Sequence, residues 1–175
     1  TPDEIYTPEG ENLLEGGAGN DILSVESIGT SVLDGGSGDD KLWSGGGNNT
    51  LLGGDGNDKL RAGSIWNKES VVLDGGAGQD ELSISAGAAS VTMSARGGSG
   101  ADLFILEKVI GVVTIEDFSA ADGDRLNLNW LLPDTPQQNP FGSLAYFRME
   151  QSGSKVLLYV DADGAAGTLH DFRLA

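Results

Sequence analysis

An aspartate recurs five times in this chain at the end of the same glycine-rich hexapeptide. The pattern GGxGxD begins at Gly16, Gly35, Gly53, Gly75 and Gly97, and a large apolar residue follows each aspartate two positions later. Carboxylate and carbonyl oxygens are hard ligands that select calcium, and glycines at positions one, two and four permit the φ > 0 conformations that turn carbonyls inward. The pattern therefore predicts calcium sites.

Composition points to the same kind of ligand. The chain has 175 residues, with 27 acidic against 10 basic side chains and a net charge of −17, which argues against nucleic acid or an anionic membrane surface as partner. It contains no Cys, so metal binding is the expected substitute for disulfides. Residues 1–15 lack the pattern of a cleavable signal peptide, and no 18 apolar residues run together, so we expect no stable membrane insertion.

Weaker copies of the nonapeptide lie between the complete ones, which gives ten units in one register. Such short strands bury nothing alone and gain stability by stacking on neighbours. The absence of Pro between residues 9 and 132 agrees with an all-β solenoid, because Pro would interrupt its hydrogen-bonded ladders. The eighth positions of the units form an apolar column: Leu14, Leu23, Leu33, Leu42, Leu51, Leu60, Leu73, Leu82, Ala95 and Phe104.

The nonapeptide GGxGxDxUx, with U a large apolar residue, resembles the calcium-binding repeat of the RTX (repeats-in-toxin) proteins. This resemblance implies a right-handed parallel β-roll, with two nonapeptides per coil and glycine-rich turns that alternate between two edges. Ten units would form about five coils, roughly 24 Å long at about 4.8 Å per coil. The complete loops are every second unit, so all five would lie on one edge.

The opposite edge is predicted to have lost its ligands. Where the complete loops carry Asp, the turns of this edge carry Asn12, Ser31, Asn49, Val71 and Met93. Of these, Asn49 follows a run of three glycines, but a neutral amide lacks the charge that attracts a cation. We therefore expect no ion on that edge.

The resemblance also implies which atoms bind calcium, with about four ions on one edge. The carbonyls of positions two and four and the Asp of one loop act with the carbonyls of positions one and three and the Asp of the next. The first site then has Gly17, Gly19, Asp21, Gly35, Ser37 and Asp40, and the second has Gly36, Gly38, Asp40, Gly53, Asp55 and Asp58. The third has Gly54, Gly56, Asp58, Gly75, Ala77 and Asp80, and the fourth has Gly76, Gly78, Asp80, Gly97, Ser99 and Asp102.

The glycine density falls after residue 105, and the pattern changes to longer strands. We predict strands over residues 112–118, 125–132, 144–151, 155–161 and 168–174, a hairpin turn at 152–154 and a loop over 133–140. The chain is therefore divided into a calcium-binding β-roll, residues 1–105, and a C-terminal antiparallel β cap, residues 106–175. The cap would cover the open end of the roll, which otherwise exposes unpaired backbone.

Segments of this tail resemble the C-terminal target region of proteins exported by type I secretion, particularly large RTX adhesins. They are Ile115-Glu116-Asp117-Phe118, Asp122-Gly123-Asp124-Arg125-Leu126, Asn139-Pro140-Phe141-Gly142 and Val160-Asp161-Ala162-Asp163-Gly164. These segments could bind one or two further calcium ions, one at Asp117, Asp122 and Asp124 and one at Asp161 and Asp163. The alternative is that they form ordinary Asp-Gly turns. We expect the terminal secretion signal of such proteins to continue beyond Ala175.

The sequence carries no motif for nucleophilic or zinc-dependent hydrolysis, neither GxSxG nor HExxH. We interpret the one histidine, His170, as a surface or cap residue and Trp43, Trp66 and Trp130 as packing residues at strand edges. The expected function is a non-enzymatic, calcium-folded C-terminal RTX module of a type I secreted adhesin or toxin, which serves secretion and extracellular folding.

The alternative function is an accessory RTX module of an extracellular protease, lipase or alginate epimerase that stabilises the enzyme or helps to bind its substrate. The expected partners are calcium ions and the type I secretion machinery. The expected location is extracellular or at the cell surface, and the expected state of this fragment is monomeric.

Overall fold

The computed structural model describes residues 1–7, 10–26, 29–64, 69–88, 90–109, 112–128, 147–152, 155–160 and 170–174. In these residues strands are joined by turns and bends, and there is no helix, so the predicted all-β fold is confirmed. The strands are β1 (Glu4–Thr7), β2 (Asn12–Ala18), β3 (Ile22–Val25), β4 (Thr30–Ser37), β5 (Lys41–Ser44), β6 (Asn48–Asp55), β7 (Lys59–Ser64), β8 (Ser70–Ala77), β9 (Glu81–Ala86), β10 (Thr92–Ser99), β11 (Leu103–Val109), β12 (Val112–Ile115), β13 (Arg125–Asn127), β14 (Phe147–Ser152), β15 (Lys155–Val160) and β16 (His170–Leu174).

Consecutive strands of the roll alternate between two sheets. The seven-stranded sheet has the order β1-β3-β5-β7-β9-β11-β13, and the nine-stranded sheet has the order β14-β15-β16-β12-β10-β8-β6-β4-β2. Within the roll, neighbouring strands pair in parallel. One strand from each sheet makes a coil, and the result is a parallel β-solenoid of about six turns.

The predicted apolar column forms the core between the two sheets. All ten of its residues are at most 2% exposed. Strand pairing keeps them in register, so that Leu33 lies between Leu14 and Leu51 in the nine-stranded sheet. Because one buried leucine contributes only about 1.5–3 kcal/mol, a single coil stays unstable without neighbours.

The roll is one turn longer than the five coils that the repeats predict. β12 pairs in parallel with β10, and β13 with β11, although both strands lie in the part predicted as an antiparallel cap. They extend the roll because Ile115 and Leu126 align with Ala95 and Phe104 and continue the apolar column without a glycine motif. The domain boundary at 105–106 stays a prediction, and β11 crosses it.

The last three described strands continue the nine-stranded sheet beyond β12. β14 and β15 are antiparallel, with Ser152 opposite Lys155, as expected for the predicted hairpin. β16, which His170 begins, is antiparallel to β15 and parallel to β12. The predicted loop over 133–140 and the segment 139–142 lie outside the described residues, as do Trp66, Trp130, Asp161 and Asp163.

Candidate metal centre

The five complete loops lie along one edge of the roll, where an even-numbered strand ends and the next odd-numbered strand begins. Strand register stacks them, so that Gly54 lies opposite Gly36 on one side and opposite Gly76 on the other. The glycines at positions two and four have φ between 89° and 139° in all five loops. L side chains rarely adopt this conformation, so glycine is required at both positions.

The prediction of a positive φ for the glycine at position one is wrong, because the structure shows none there. This position requires glycine for a different reason. A Cβ on Gly35 would lie 2.6 Å from the carbonyl oxygen of Gly53 and closer than 3.0 Å to Oδ2 of Asp40. The space beside position one is therefore shared by a carboxylate oxygen of the same loop and a carbonyl oxygen of the next loop. The other complete loops, except the one at Gly97, repeat this arrangement.

Backbone carbonyls from two neighbouring loops point into the gap between them. A Cβ on Gly54 would overlap the carbonyl oxygen of Gly36, and a Cβ on Gly56 would overlap that of Gly38, so the carbonyls of positions two and four point towards the next loop. The carbonyl of position three points back, because Asp55 O accepts a hydrogen bond from Gly38 N at 2.8 Å. The gap is thus lined by oxygen atoms from both loops.

The five loop aspartates form a buried ladder in which each rung bonds to the backbone of the preceding loop. Each is at most 2% exposed: Asp21, Asp40, Asp58, Asp80 and Asp102. Oδ1 of each accepts a hydrogen bond from the backbone N–H of the aspartate one coil earlier, as Asp58 Oδ1 does from Asp40 N at 2.7 Å. The remaining oxygen, Oδ2, is buried and has no hydrogen-bond partner in any of the five.

The ladder extends to one further aspartate at each end, Asp124 as a sixth rung and Asp3 through its backbone N–H alone, because the Asp3 side chain is exposed. Asp3 N donates to Asp21 Oδ1 at 2.6 Å, and Asp102 N donates to Asp124 Oδ1 at 2.9 Å. Each of these added aspartates stands two residues before an apolar residue of the core column, Ile5 or Leu126. That spacing is the signal that would have found them in the sequence without the glycines.

The electrostatics of the ladder favour a bound cation. Burial, together with the charges of neighbouring aspartates, raises the pKa of Asp58 to about 6 and that of Asp80 to about 7, although hydrogen bonds from the backbone act in the opposite direction. The pKa values of Asp40 and Asp102 are raised by the same two causes. A positive ion between the rungs would remove this penalty.

The donor atoms fit calcium. Among the described residues, no three side chains of His, Cys, Asp or Glu gather at one point. A site in this edge would consist of two carboxylates from successive rungs and carbonyl oxygens from two loops. Such an all-oxygen set, with both charged and neutral ligands, suits calcium and lacks the nitrogen and sulfur donors that zinc and copper prefer.

A second ladder runs along the outside of the same turns, and sequence reasoning missed it. The side chains of position five accept hydrogen bonds from the backbone of the next loop: Asp39 N donates to Asn20 Oδ1 at 3.0 Å, Asn57 N to Asp39 Oδ1 at 2.8 Å, and Gln79 N to Asn57 Oδ1 at 2.9 Å. These exposed residues join successive loops from the solvent side.

On the opposite edge, Asn49 satisfies its own polar atoms and a backbone N–H without an ion. Asn49 Oδ1 accepts from Ser31 N at 2.8 Å, as the aspartates do on the other edge. Its Nδ2 donates to Ser44 Oγ at 2.7 Å and to the carbonyl of Gly46, so the amide group itself fills the turn. Sequence reasoning missed Glu69, a buried carboxylate that accepts from Gly47 N at 2.9 Å.

In the sixth turn of the roll, residues 112–128, the structure separates the three aspartates that the sequence grouped together. Asp117 and Asp124 reach the last complete loop, where Asp117 accepts from Gly97 N and Gly98 N at 2.9 and 2.8 Å. Asp122 is exposed. Only two of the three therefore approach the ladder.

Residues 3–26 and 27–64 match the RTX calcium-binding nonapeptide repeat, in four copies. The loops at Gly75 and Gly97 follow the matched residues and stack in register on them. The chain therefore contains an RTX calcium-binding β-roll, a structural fold typical of secreted proteins. A comparison with curated proteins found no match. In the described part of the chain, no helix has the length and apolar character needed to cross a membrane.

Proposed function

We propose that this chain is the calcium-folded C-terminal RTX module of a type I secreted adhesin or toxin, and that it serves secretion and extracellular folding without catalysing a reaction. The observation that carries the proposal is the row of five buried Oδ2 atoms without hydrogen-bond partners. A buried carboxylate oxygen without a donor or counter-ion is strongly destabilising. The roll therefore depends on a cation that the secreted protein meets outside the cell.

The geometry of the loops supports the four sets of ligands implied by the RTX resemblance. In each gap, carbonyls of positions two and four point forward, the carbonyls of positions one and three point back, and successive aspartates stand on either side. Bound calcium would supply the positive charge that offsets the stacked carboxylates. Extracellular calcium in the millimolar range suits extracellular modules of this kind, whereas scarce cytosolic calcium would leave the chain loose enough for export.

One surface groove bears on the accessory-module alternative. It lies on the outer face of the seven-stranded sheet, has a volume of about 250 Å³ and is lined in part by Trp43, Lys59 and Arg61. Lys59 Nζ lies 3.3 Å from an oxygen of Glu81, and Arg61 lies 2.9 Å from an oxygen of Glu107. Because acidic neighbours already pair with these cations, the groove supports substrate binding less than the ladder supports calcium-dependent folding.

The test is circular dichroism of the full chain in calcium, in chelator and in chelator followed by excess calcium. We expect a β spectrum in calcium, its loss in chelator and its return when calcium is added back. Magnesium is the control, because it demands a smaller octahedral site and should not replace calcium. A β spectrum that stays unchanged in chelator would contradict the proposal.

A further inference from the structure

We propose that a further calcium ion binds at the C-terminal end of the ladder, between Asp102 in the last complete loop and Asp124 in the sixth turn. This inference rests on the proposed calcium binding of the roll. It extends the ladder into a turn that lacks the GGxGxD sequence.

Asp102 has the same unbalanced carboxylate as the four loop aspartates before it. It is 1% exposed, and its Oδ2 has no hydrogen-bond partner. In an earlier loop the corresponding Oδ2, that of Asp40, lies beside Gly35 together with the carbonyl oxygen of the next loop. Asp102 Oδ2 lies beside Gly97 in the same way, so it faces the gap before the sixth turn. The four gaps between complete loops hold the Oδ2 atoms of Asp21, Asp40, Asp58 and Asp80 in this arrangement, so the Oδ2 of Asp102 is left for an ion beyond those four.

Asp124 takes the place of the next rung and ends the ladder. Its Oδ1 accepts from Asp102 N at 2.9 Å, within the 2.7–2.9 Å range of the rungs between Asp21 and Asp102. Its Oδ2 accepts from Ser119 N at 2.8 Å. The Asp124 oxygen that faces away from Asp102 thus receives a hydrogen bond from the chain itself. Only the gap between Asp124 and Asp102 needs a positive charge.

Asp117 adds negative charge at the last gap, where no carbonyl oxygen approaches Gly97 as closely as one approaches the earlier glycines at position one. A Cβ on Gly75 would meet the carbonyl oxygen of Gly97 at 2.6 Å, but the three atoms nearest to the same point on Gly97 all belong to Asp102. The carboxylate of Asp117 accepts hydrogen bonds from the backbone N–H groups of Gly97 and Gly98. The charge of Asp117 therefore adds to the charges of Asp102 and Asp124 at this end of the ladder.

The donors around this gap repeat part of the set found along the ladder, without the next-loop carbonyl that lies beside Gly35. Two successive rungs, Asp102 and Asp124, are joined by the carbonyls of Gly98 and Gly100, whose counterparts in earlier loops point towards the next loop. Calcium takes six to eight oxygen ligands, so water or Asp117 completes the shell. Asp122 belongs to the same turn but is exposed, which makes it a matched control.

The experiment counts the calcium ions bound by the full chain at saturation, by native mass spectrometry and equilibrium dialysis. Asp124→Asn and Asp122→Asn each remove one negative charge from the same turn. We expect Asp124→Asn to bind one ion fewer than the wild type and Asp122→Asn to bind the same number. An unchanged count in a folded Asp124→Asn chain overturns the additional site alone, whereas a wild-type chain that binds no calcium overturns the proposed function.

A second measurement does not depend on the variant folding. If Asp124→Asn shows no β spectrum in saturating calcium, a crystal structure of the calcium-loaded wild type decides the question. An ion between Asp102 and Asp124 supports the site. A gap without an ion, next to occupied gaps between the complete loops, overturns it.

Discussion

At the scale of single residues, the two oxygens of each ladder aspartate have different tasks. Oδ1 accepts the backbone N–H of the preceding loop and so helps to fix the stacking distance between coils. Oδ2 is left buried without a donor. The raised pKa values of Asp58 and Asp80, about 6 and about 7, express the cost of keeping these carboxylates charged without an ion.

Asn49 shows how the same backbone contact is made without a charge. Its Oδ1 repeats the bond of an aspartate rung, and its Nδ2 donates to Ser44 and Gly46 within its own turn. The side chain is buried, and each of its polar atoms has a partner. An amide in this position therefore replaces both the carboxylate and the ion.

We predict that Asp58→Ala raises the calcium midpoint for folding far more than Asn49→Ala does. Asp58 stands in two of the proposed sites, so its loss weakens the binding of two ions and should shift the midpoint by about tenfold or more, which corresponds to about 1.4 kcal/mol for each ion bound on folding. Removing Asn49 leaves Ser31 N and the carbonyl of Gly46 without their partner, at a cost of about 1–3 kcal/mol, but removes no ligand. That cost is shared among all the ions bound on folding, so it shifts the midpoint much less. Calcium titrations followed by circular dichroism give the midpoints.

The number of ions at saturation separates these two effects. Asn49→Ala should bind as many ions as the wild type, and Asp58→Ala should bind fewer. Equal midpoint shifts, or loss of an ion on Asn49→Ala, would contradict the assignment of all loop ions to one edge.

At the scale of the turn, sequence and structure agree on the edge where the five complete loops lie. They differ in the reason why position one of each loop is glycine. Spacing alone places the five loops on one side, because every second unit is complete. The close approach at Gly35 was not predictable, because it involves a carbonyl from Gly53, one coil away. The ladder of Asn20, Asp39 and Asn57 also depends on contacts between successive coils. It left no signal in the sequence, because the residue type at position five varies between loops.

We predict that Gly54→Ala prevents or strongly weakens calcium-dependent folding, whereas Gly63→Ala is tolerated. Gly54 has φ +107°, which costs an L residue about 1–2 kcal/mol, and a Cβ there would also overlap the carbonyl oxygen of Gly36. Gly63 lies in β7, where the nearest atom to an added Cβ is Ser44 O at 3.9 Å. Its replacement should change stability by no more than about 1 kcal/mol.

Calcium titrations of the two alanine variants provide the measurement. A midpoint for Gly54→Ala close to that of Gly63→Ala would show that the gap between loops accepts a side chain. In that case the Gly36 carbonyl does not point at an ion.

At the scale of the whole molecule, the roll is defined by register more than by the glycine motif. The repeats predicted the alternation of strands and the ten-residue core column, all of which is buried. The sixth turn was missed because it keeps only the elements that stacking requires, an inward apolar residue in each sheet and Asp124 at the edge. Its loop, residues 116–124, contains one glycine and no GGxGxD sequence. A search for that motif therefore ends one turn before the roll does.

The sixth turn is also suited to act as the template for folding of the roll. Its carboxylates are satisfied by the chain, since Asp117 accepts from Gly97 N and Gly98 N and Asp124 accepts from Ser119 N. A coil gains stability only from a neighbour that is already formed. Residues 112–128 thus offer β10 and β11 a partner on each sheet before the more N-terminal gaps are filled.

We predict that a chain ending at Ile105 needs much more calcium to fold than the full chain, and folds less cooperatively. It keeps every ligand of the four proposed sites, from Gly17 to Asp102, but loses residues 106–109 of β11 with the buried Leu106, and also β12, β13 and the carboxylates that close the end of the ladder. A chain ending at Leu128 is the control, because it keeps the sixth turn and lacks only the strands from β14 onwards. Its calcium midpoint should lie closer to that of the full chain than to that of the shorter chain. Calcium titrations of all three chains, with β content as the signal, measure midpoint and steepness together. Matching midpoints and slopes for the chain ending at Ile105 and the full chain would show that the roll folds without a template at its C-terminal end.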